Sequence, residues 1–301
     1  MITFYNEQTQ AFLDGMNRIQ QRQTKAQLEL TSGLRINSVS DAPDQISNLL
    51  SVRSALSRNA QIGQNLASVK TETDTAESAV SSAVSLVETA ESLGTQGASD
   101  MATSDTRKQL AQQLGSVLSE LVGVANTSVG GRYIFSGDSD QTQPYTIDLT
   151  QTNPVGAYAG TVATRQVESA DGSSFAVSQS AQELFDASDS NSNVFMSINS
   201  LRNALLNNDS AGIDAGLAQV KSADTYLNNG LSFYGTVQNR VAAAISYSSQ
   251  YDTQLRTQLS TIQDADETQS IIDLNEAQTQ QQAALASEGQ IPRTSLFNFL
   301  G

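Results

Sequence analysis

The sequence predicts a mainly α-helical protein, a long antiparallel helical hairpin or coiled-coil bundle whose N- and C-terminal helices pair, with a small β-rich insertion. Through most of the 301 residues, apolar side chains recur at alternating spacings of four and three, as in helices that pack on other helices. Between about residues 131 and 180 the pattern alternates as in β-strands. Only 38% of residues are apolar and 6% aromatic, which suits thin bundles better than a thick core.

The first helix has one face suited to a partner helix. Two positions of this seam, Thr9 and Gln23, are polar, so the helix depends on what it packs against. For a generic chain the pattern favours an intramolecular core, with an intersubunit coiled coil as the alternative. The seam comprises Tyr5, Thr9, Phe12, Met16, Ile19, Gln23, Ala26 and Leu30.

The stretch LTSGLRINSVSDAPDQISNLL, residues 30–50, ends this helix and starts another, and we call it the joint. Gly33 suits the first position beyond a helix end. Ser40 or Asp41 is expected to accept the free amide hydrogens of the next helix, with Pro43 in its first turn. The predicted joint residues are Gly33, Arg35, Asn37, Asp41 and Pro43.

Further long helices are predicted in the middle of the chain. The second is expected from about residue 41 to 93 and is roughly 80 Å long at about 1.5 Å per residue. A turn at 94–106 leads to a third helix, antiparallel to the second. A turn is also expected at 207–210, and the last long helical segment is expected after Gly230, ending near residue 288.

The β-rich insertion follows the third helix. Its alternating positions include Tyr133 and Phe135, and Asp171-Gly172 is a hairpin-turn signal. We therefore predict a small, mostly antiparallel sheet.

The two chain ends are complementary in charge. Residues 1–60 carry six bases and five acids, whereas residues 255–301 carry six acids and two bases. Both ends have helical seams, so we expect them to pack together, and the apolar tail to be buried at an assembly contact. The predicted assembly residues are Tyr5, Phe12, Met16, Ile19, Leu30, Leu255, Leu259, Ile262, Leu274, Leu296, Phe297, Phe299 and Leu300.

Three domains are expected from these patterns. Residues 1–40 and 255–301 form a terminal helical domain, 41–130 and 190–254 a helical body, and 131–189 the β-rich insertion.

Composition excludes several kinds of chemistry. The chain has no His, Cys or Trp, so it lacks an imidazole base, a thiolate nucleophile and an ordinary zinc or haem site. We predict no enzyme activity, no cofactor and no metal. Asp138 begins a stretch like a calcium loop, but the twelfth position is Leu149 rather than Glu, so a plain turn is favoured.

Other acidic groups also have simple interpretations. Asp264, Asp266 and Glu267 are predicted to lie on a solvated helix face, and Asp41 and Asp44 at a helix N-terminus. The formal charge of −15 argues against nucleic-acid binding. No run is long and apolar enough for a membrane span, and the N-terminus lacks the pattern of a cleaved signal peptide, so no membrane partner is expected.

Both ends resemble the bacterial flagellin superfamily. LTSGLRINSVSDAPDQISNLLSVRSALSRNAQIGQNLASVKTETDTAESAV resembles its N-terminal signature, and DLNEAQTQQQAALASEGQIPRTSLFNFL its C-terminal signature. Within the superfamily, the single proline of SVSDAPDQ and the motif GGRYIFSG are more similar to hook-filament junction proteins than to filament flagellins.

The resemblance implies a structural, secreted protein of the flagellum. Such proteins are exported unfolded, with a dedicated chaperone, through the flagellar export apparatus. They form a ring with copies of themselves between the first hook-associated protein and the flagellin filament. The terminal helices, here 1–40 and 255–301, would form an inner coiled-coil layer around the channel, with the joint linking it to the body. This resemblance favours an intersubunit role for the Tyr5–Leu30 seam.

Two alternatives remain open at this point. One is filament flagellin itself. The other is an enzyme or ligand-binding module in the insertion, where Tyr133, Tyr145 and Tyr158 could stack on a ligand, although packing of a small sheet explains them better.

Overall fold

The computed structural model describes residues 2–290 and shows a mainly α-helical chain. None of the helices in this range is long and apolar enough to cross a membrane. The elements are α1 (Ile2–Ser32), a short 3-10 helix (Val39–Asp41), α2 (Ile46–Ala98), α3 (Ser104–Ala125), β1 (Ser128–Val129), β2 (Arg132–Tyr133), β3 (Gln166–Glu168), β4 (Ser174–Ala176), α4 (Ala181–Phe185), α5 (Val194–Leu206), α6 (Ser210–Gln263) and α7 (Glu267–Gln290).

The chain divides into two compact units, with boundaries inside α2 and α6. The first unit joins residues up to 58 with those from 252 onward, and the second comprises 59–251. Our three-part division by sequence remains a prediction.

In the first unit, α1 packs against α7 in antiparallel fashion. Residues advance along α1 as their partners recede along α7, from Arg22 opposite Gln280 to Glu29 opposite Ser270. The predicted pairing of the terminal helices is therefore confirmed. A small hydrophobic cluster of Ile36, Ala42 and Leu49 lies within the joint, and Leu259 and Ile262 of α6 pack against it.

The core of the second unit is built from α2, α3, α5 and α6. The turn predicted at 94–106 is shorter, because α2 continues through Gly94 and Gly97 to Ala98. A Cβ at Gly94 would lie 2.8 Å from Leu201 Cδ2, and one at Gly97 would overlap Leu205. These glycines let α5 approach α2 closely, and they do not end the helix.

Helix α6 has different bounds from the predicted segment, which began after Gly230 and ended near residue 288. It starts at Ser210 and runs through Gly230, which the sequence suggested as a boundary. A Cβ at Gly230 would lie 2.7 Å from Leu184 Cδ2, so the missing side chain makes room for α4. The predicted turn at 207–210 is confirmed, and Asn208 there has a φ of 53°.

The β-rich insertion contains two antiparallel hairpins, β1–β2 and β3–β4, with most of its length in loops. The Asp171-Gly172 turn is confirmed: Gly172 has a φ of 84°, and Asp171 Oδ1 accepts the amide hydrogen of Ser173. Phe175 and Val177, from β4 and just beyond it, pack with residues of α2 and α6 such as Leu66 and Val241. The hairpin thus lies across these two helices.

Candidate functional site: the terminal helix pair and its joint

The predicted assembly residues within the described range lie on three helices of one chain: those up to Leu30 on α1, those from Leu255 to Ile262 on α6, and Leu274 on α7. Ile19 is 9% exposed and Leu255 4% exposed, so both are buried within one chain. The backbone of Tyr5 lies in α1, and its side chain lies outside the described residues, as does the whole tail with Leu296, Phe297, Phe299 and Leu300. The other predicted residues are half-buried: Phe12, Met16, Leu30, Leu259, Ile262 and Leu274.

A different set of apolar side chains on these helices points to solvent. We call it the exposed apolar set: Leu13, Leu28, Ile271, Ile272 and Leu285, each between 45% and 55% exposed. Ile272 belongs to the apolar repeat of the C-terminal sequence, but the structure places it outside the intrachain contact. The usable signal was an apolar residue off the heptad positions, since such a residue has no place in the seam.

Polar groups also join α1 to α7. Ser270 Oγ donates to Glu29 Oε2 at 3.0 Å, and these side chains are only 2% and 9% exposed. Arg22 Nη2 donates to Gln280 Oε1 at 2.6 Å. A buried polar pair penalises any other register, because a shift would leave Glu29 without its donor.

The start of the joint ends α1 as predicted. Gly33 has a φ of 70°, and its amide donates to Glu29 O at 2.8 Å, which confirms the glycine cap. Asn37 Nδ2 donates to Leu34 O at 2.7 Å.

Asp41 does not cap the following helix. Its Oδ2 accepts the amide hydrogens of Asn37 and Ser38 at 2.9 and 2.6 Å, so it closes the loop behind it. The amide of Ser38 is the main cause of the lowered pKa of Asp41. Helix α2 begins only at Ile46, three residues beyond Pro43, because residues 43–45 form a turn, in which the amide of Gln45 donates to Ala42 O at 3.0 Å. The predicted cap and first-turn proline were wrong in this respect.

A second break, between α6 and α7, was not predicted from the sequence. Helix α6 ends at Gln263 and α7 begins at Glu267. Asp266 Oδ1 accepts the amide hydrogen of Gln269 at 3.1 Å, and Asp266 O accepts that of Ser270. Asp266 is therefore a helix cap, not part of a solvated helix face. The available signal was Asp followed three residues later by Gln.

The two breaks lie side by side and satisfy each other's backbone groups. Gln263 O accepts the amide hydrogens of Arg35 and Ile36 at 2.7 and 3.4 Å. In return, Gly33 O accepts that of Ala265 at 2.9 Å. The Arg35 guanidinium adds two bonds from Nη2, to Ile262 O at 2.7 Å and to Gln45 Oε1 at 2.8 Å. Of the predicted joint residues, Gly33 and Arg35 thus contact the end of α6.

The tyrosines considered as ligand-stacking groups lie in different settings. Tyr145 is buried against Phe195, and its hydroxyl donates to Asp186 Oδ2 at 3.3 Å. Tyr158 donates to Phe135 O at 2.9 Å, and burial raises its pKa to about 12. Tyr133 lies in β2. The hydroxyls of Tyr145 and Tyr158 are thus engaged inside the insertion.

The acidic turn at Asp138 is held by neighbouring protein groups. The Asp138 amide donates to Thr161 Oγ1 at 2.8 Å, and Asp140 pairs with Arg132 at 2.6 Å. Over residues 2–290, no group of three or more acidic side chains is arranged to hold a metal ion.

Comparison with known proteins identifies similarity at both ends. Residues 5–140 match the bacterial flagellin N-terminal helical region, and residues 217–300 match the bacterial flagellin C-terminal helical region. Together they cover well over half of the chain. Flagellar hook-associated protein 3 of Salmonella typhimurium is 24% identical over 260 residues, which is 80% of this chain and 79% of that protein.

Solved structures show the same fold. A flagellar hook-associated protein from Vibrio parahaemolyticus matches with a TM-score of 0.65 and 21% identity, over 74% of this chain and all of that one. Hook-associated protein 3 from Legionella pneumophila gives 0.61 and 14%, over 70% and 98%. FlgL from Bacillus cereus gives 0.57 and 20%, over 70% and 99%.

Proposed function

The chain belongs to the bacterial flagellin family, and from this premise we propose that it is a structural protein that joins the flagellar hook to the filament. The family match covers both terminal helical regions. The curated relative that matches over most of both chains is hook-associated protein 3. The joining role and its partners come from that similarity. The partners are copies of itself, the first hook-associated protein and flagellin, with a chaperone and the export apparatus during secretion.

The observation that carries the proposal is the exposed apolar set on the α1–α7 pair. Within one chain the seam residues, such as Ile19, already bury their apolar surface, while Leu13, Ile271 and Leu285 remain about half exposed. Burying the rest of such a side chain contributes about 1 kcal/mol. Five of them lie on one helix pair, and the proposal is that a neighbouring subunit covers them.

The two groups of apolar residues therefore have different roles in the proposal. The predicted seam holds α1 to α7 inside each subunit. The exposed apolar set, together with the apolar tail at 296–300, contacts neighbouring subunits. In this arrangement the paired terminal helices form the inner, channel-side part of the ring.

The experiment is complementation of a deletion strain with point variants. Leu13→Ser and Ile271→Ser should each leave the purified chain folded, because both side chains point to solvent, but should reduce its recovery in hook-attached structures. Met101→Ser is the matched control, because Met101 is 91% exposed and lies in the second unit. Full incorporation of both terminal-helix variants would contradict the proposed contact.

An assembly assay with the purified protein distinguishes this role from that of a filament subunit. A filament subunit assembles into long filaments from monomer alone, whereas the proposed junction protein does not. Growth of long filaments from the purified chain would assign it to the filament.

A further inference from the structure

The two helix breaks of the first unit supply each other's caps. A helix end leaves carbonyl oxygens without partners inside the helix. At the end of α6, Ile262 O accepts a hydrogen bond from the Arg35 guanidinium, and Gln263 O accepts the amide hydrogens of Arg35 and Ile36. Beyond the end of α1, Gly33 O accepts the amide hydrogen of Ala265. The antiparallel bridge between Leu34 and Asp264 lies between these bonds.

We propose that this exchange of hydrogen bonds couples the ends of α1 and α6, so that they become ordered or disordered together, and that Arg35 is the positioning residue that couples them. We call the two hydrogen-bonded breaks the latch. The guanidinium of Arg35 bonds to two separate segments of the chain. It donates to Ile262 O at the end of α6 and to Gln45 Oε1, which lies just before α2.

The latch deepens the proposed function, because it states how the two helices that carry the exposed apolar set are kept in one register. Helix α7 starts three residues after the latch, at Glu267, and α1 ends just before it, at Ser32. Fixing these two ends fixes which turns of α1 and α7 face each other. Ser270 and Glu29, the buried polar pair, lie within about one turn of the latch, so an incorrect latch would also separate them.

Amide hydrogen exchange of the isolated chain tests the coupling directly. In Arg35→Ala the amide of Ala265 should exchange about three- to tenfold faster, although its own acceptor, Gly33 O, is unchanged. The effect is modest because Arg35 is exposed and water competes for its bonds. Arg35→Lys should give a smaller increase, because a single ammonium cannot hold the same two acceptors in the guanidinium geometry.

Arg58→Ala is the matched control, since it removes an exposed arginine of the same unit away from the joint. Gln45→Ala removes the side-chain acceptor of the Arg35 guanidinium and should also speed exchange at Ala265. Unchanged exchange at Ala265 in Arg35→Ala, relative to Arg58→Ala, would overturn the latch even if the amides of Arg35 and Ile36 exchanged faster. Because the readout needs no flagellum, its result is separate from that of the proposed function.

Discussion

Gly216 lies in α6 where the backbone of α5 passes closest to it. A Cβ placed there would stand 2.9 Å from the Cα of Leu201 and 3.1 Å from its backbone nitrogen. The atoms it meets are backbone atoms inside the core of the second unit, so they cannot move aside by a rotamer change. Gly216→Ala should therefore push α5 away from α6.

The magnitude follows from two opposed terms. Replacing a helical glycine by alanine normally stabilises by about 0.5–1 kcal/mol, because glycine loses more backbone freedom on folding. Overpacking of a core costs about 1–3 kcal/mol, and contact with backbone places Gly216 at the upper end. We expect a net loss of about 1–2.5 kcal/mol, or a fall in Tm of about 2–4 °C per kcal/mol for a unit of this size.

The assay is thermal and denaturant unfolding followed by circular dichroism. Gly235→Ala is the matched control, because Gly235 lies in the same helix and a Cβ there meets no atom within 4 Å. That variant should be stabilised by about 0.5–1 kcal/mol. If both variants were stabilised alike, the close approach of α5 to α6 would be refuted.

Two further predictions concern buried polar groups in the second unit. Burial, then the charges of Glu88 and Glu91, raise the pKa of Asp224, so the folded state binds a proton on this carboxylate more tightly than the unfolded state does. The free energy of unfolding should therefore rise as pH falls through the raised pKa. Asp224→Asn should stabilise the fold at pH 7 by up to about 1 kcal/mol and flatten the pH dependence of stability in unfolding curves from pH 7 to 4. Ser248→Ala should cost about 1–2 kcal/mol, because Asn59 Oδ1 loses its buried donor at 2.9 Å, and adding Asn59→Leu should recover part of the loss; a double mutant no more stable than the single one would contradict this.

Helical periodicity predicted the long helices and their pairing, because burial of one helix face leaves a repeat that can be read without tertiary information. Local backbone demands were also readable: Gly33 and Gly172 stand where a positive φ is needed. Other glycines show where local sequence does not suffice to predict the structure. Gly94 and Gly230 look like terminators in the sequence, but their role depends on which helix packs against them.

The joint also shows how far local sequence predicts structure. The end of α1 was predicted from Gly33, whereas the role given to Pro43 was wrong. The break at Asp264–Asp266 was not predicted, because no glycine or proline marks it and its one signal is the cap residue Asp266. Its caps come from residues more than 200 positions away in the chain, such as Gly33 and Arg35. In the exposed apolar set, Leu13 and Leu28 stand off the seam positions and could have been recognised, whereas Ile272 stands in the apolar repeat, and its exposure is evident only from the packed structure.

The most direct test of the joining role is to delete the gene and examine the cell surface and culture medium by electron microscopy and immunoblotting for flagellin. The proposal predicts hooks without filaments, with intact flagellin monomers released into the medium. Normal filaments on the deletion strain, or loss of flagellin itself from the medium, would contradict it.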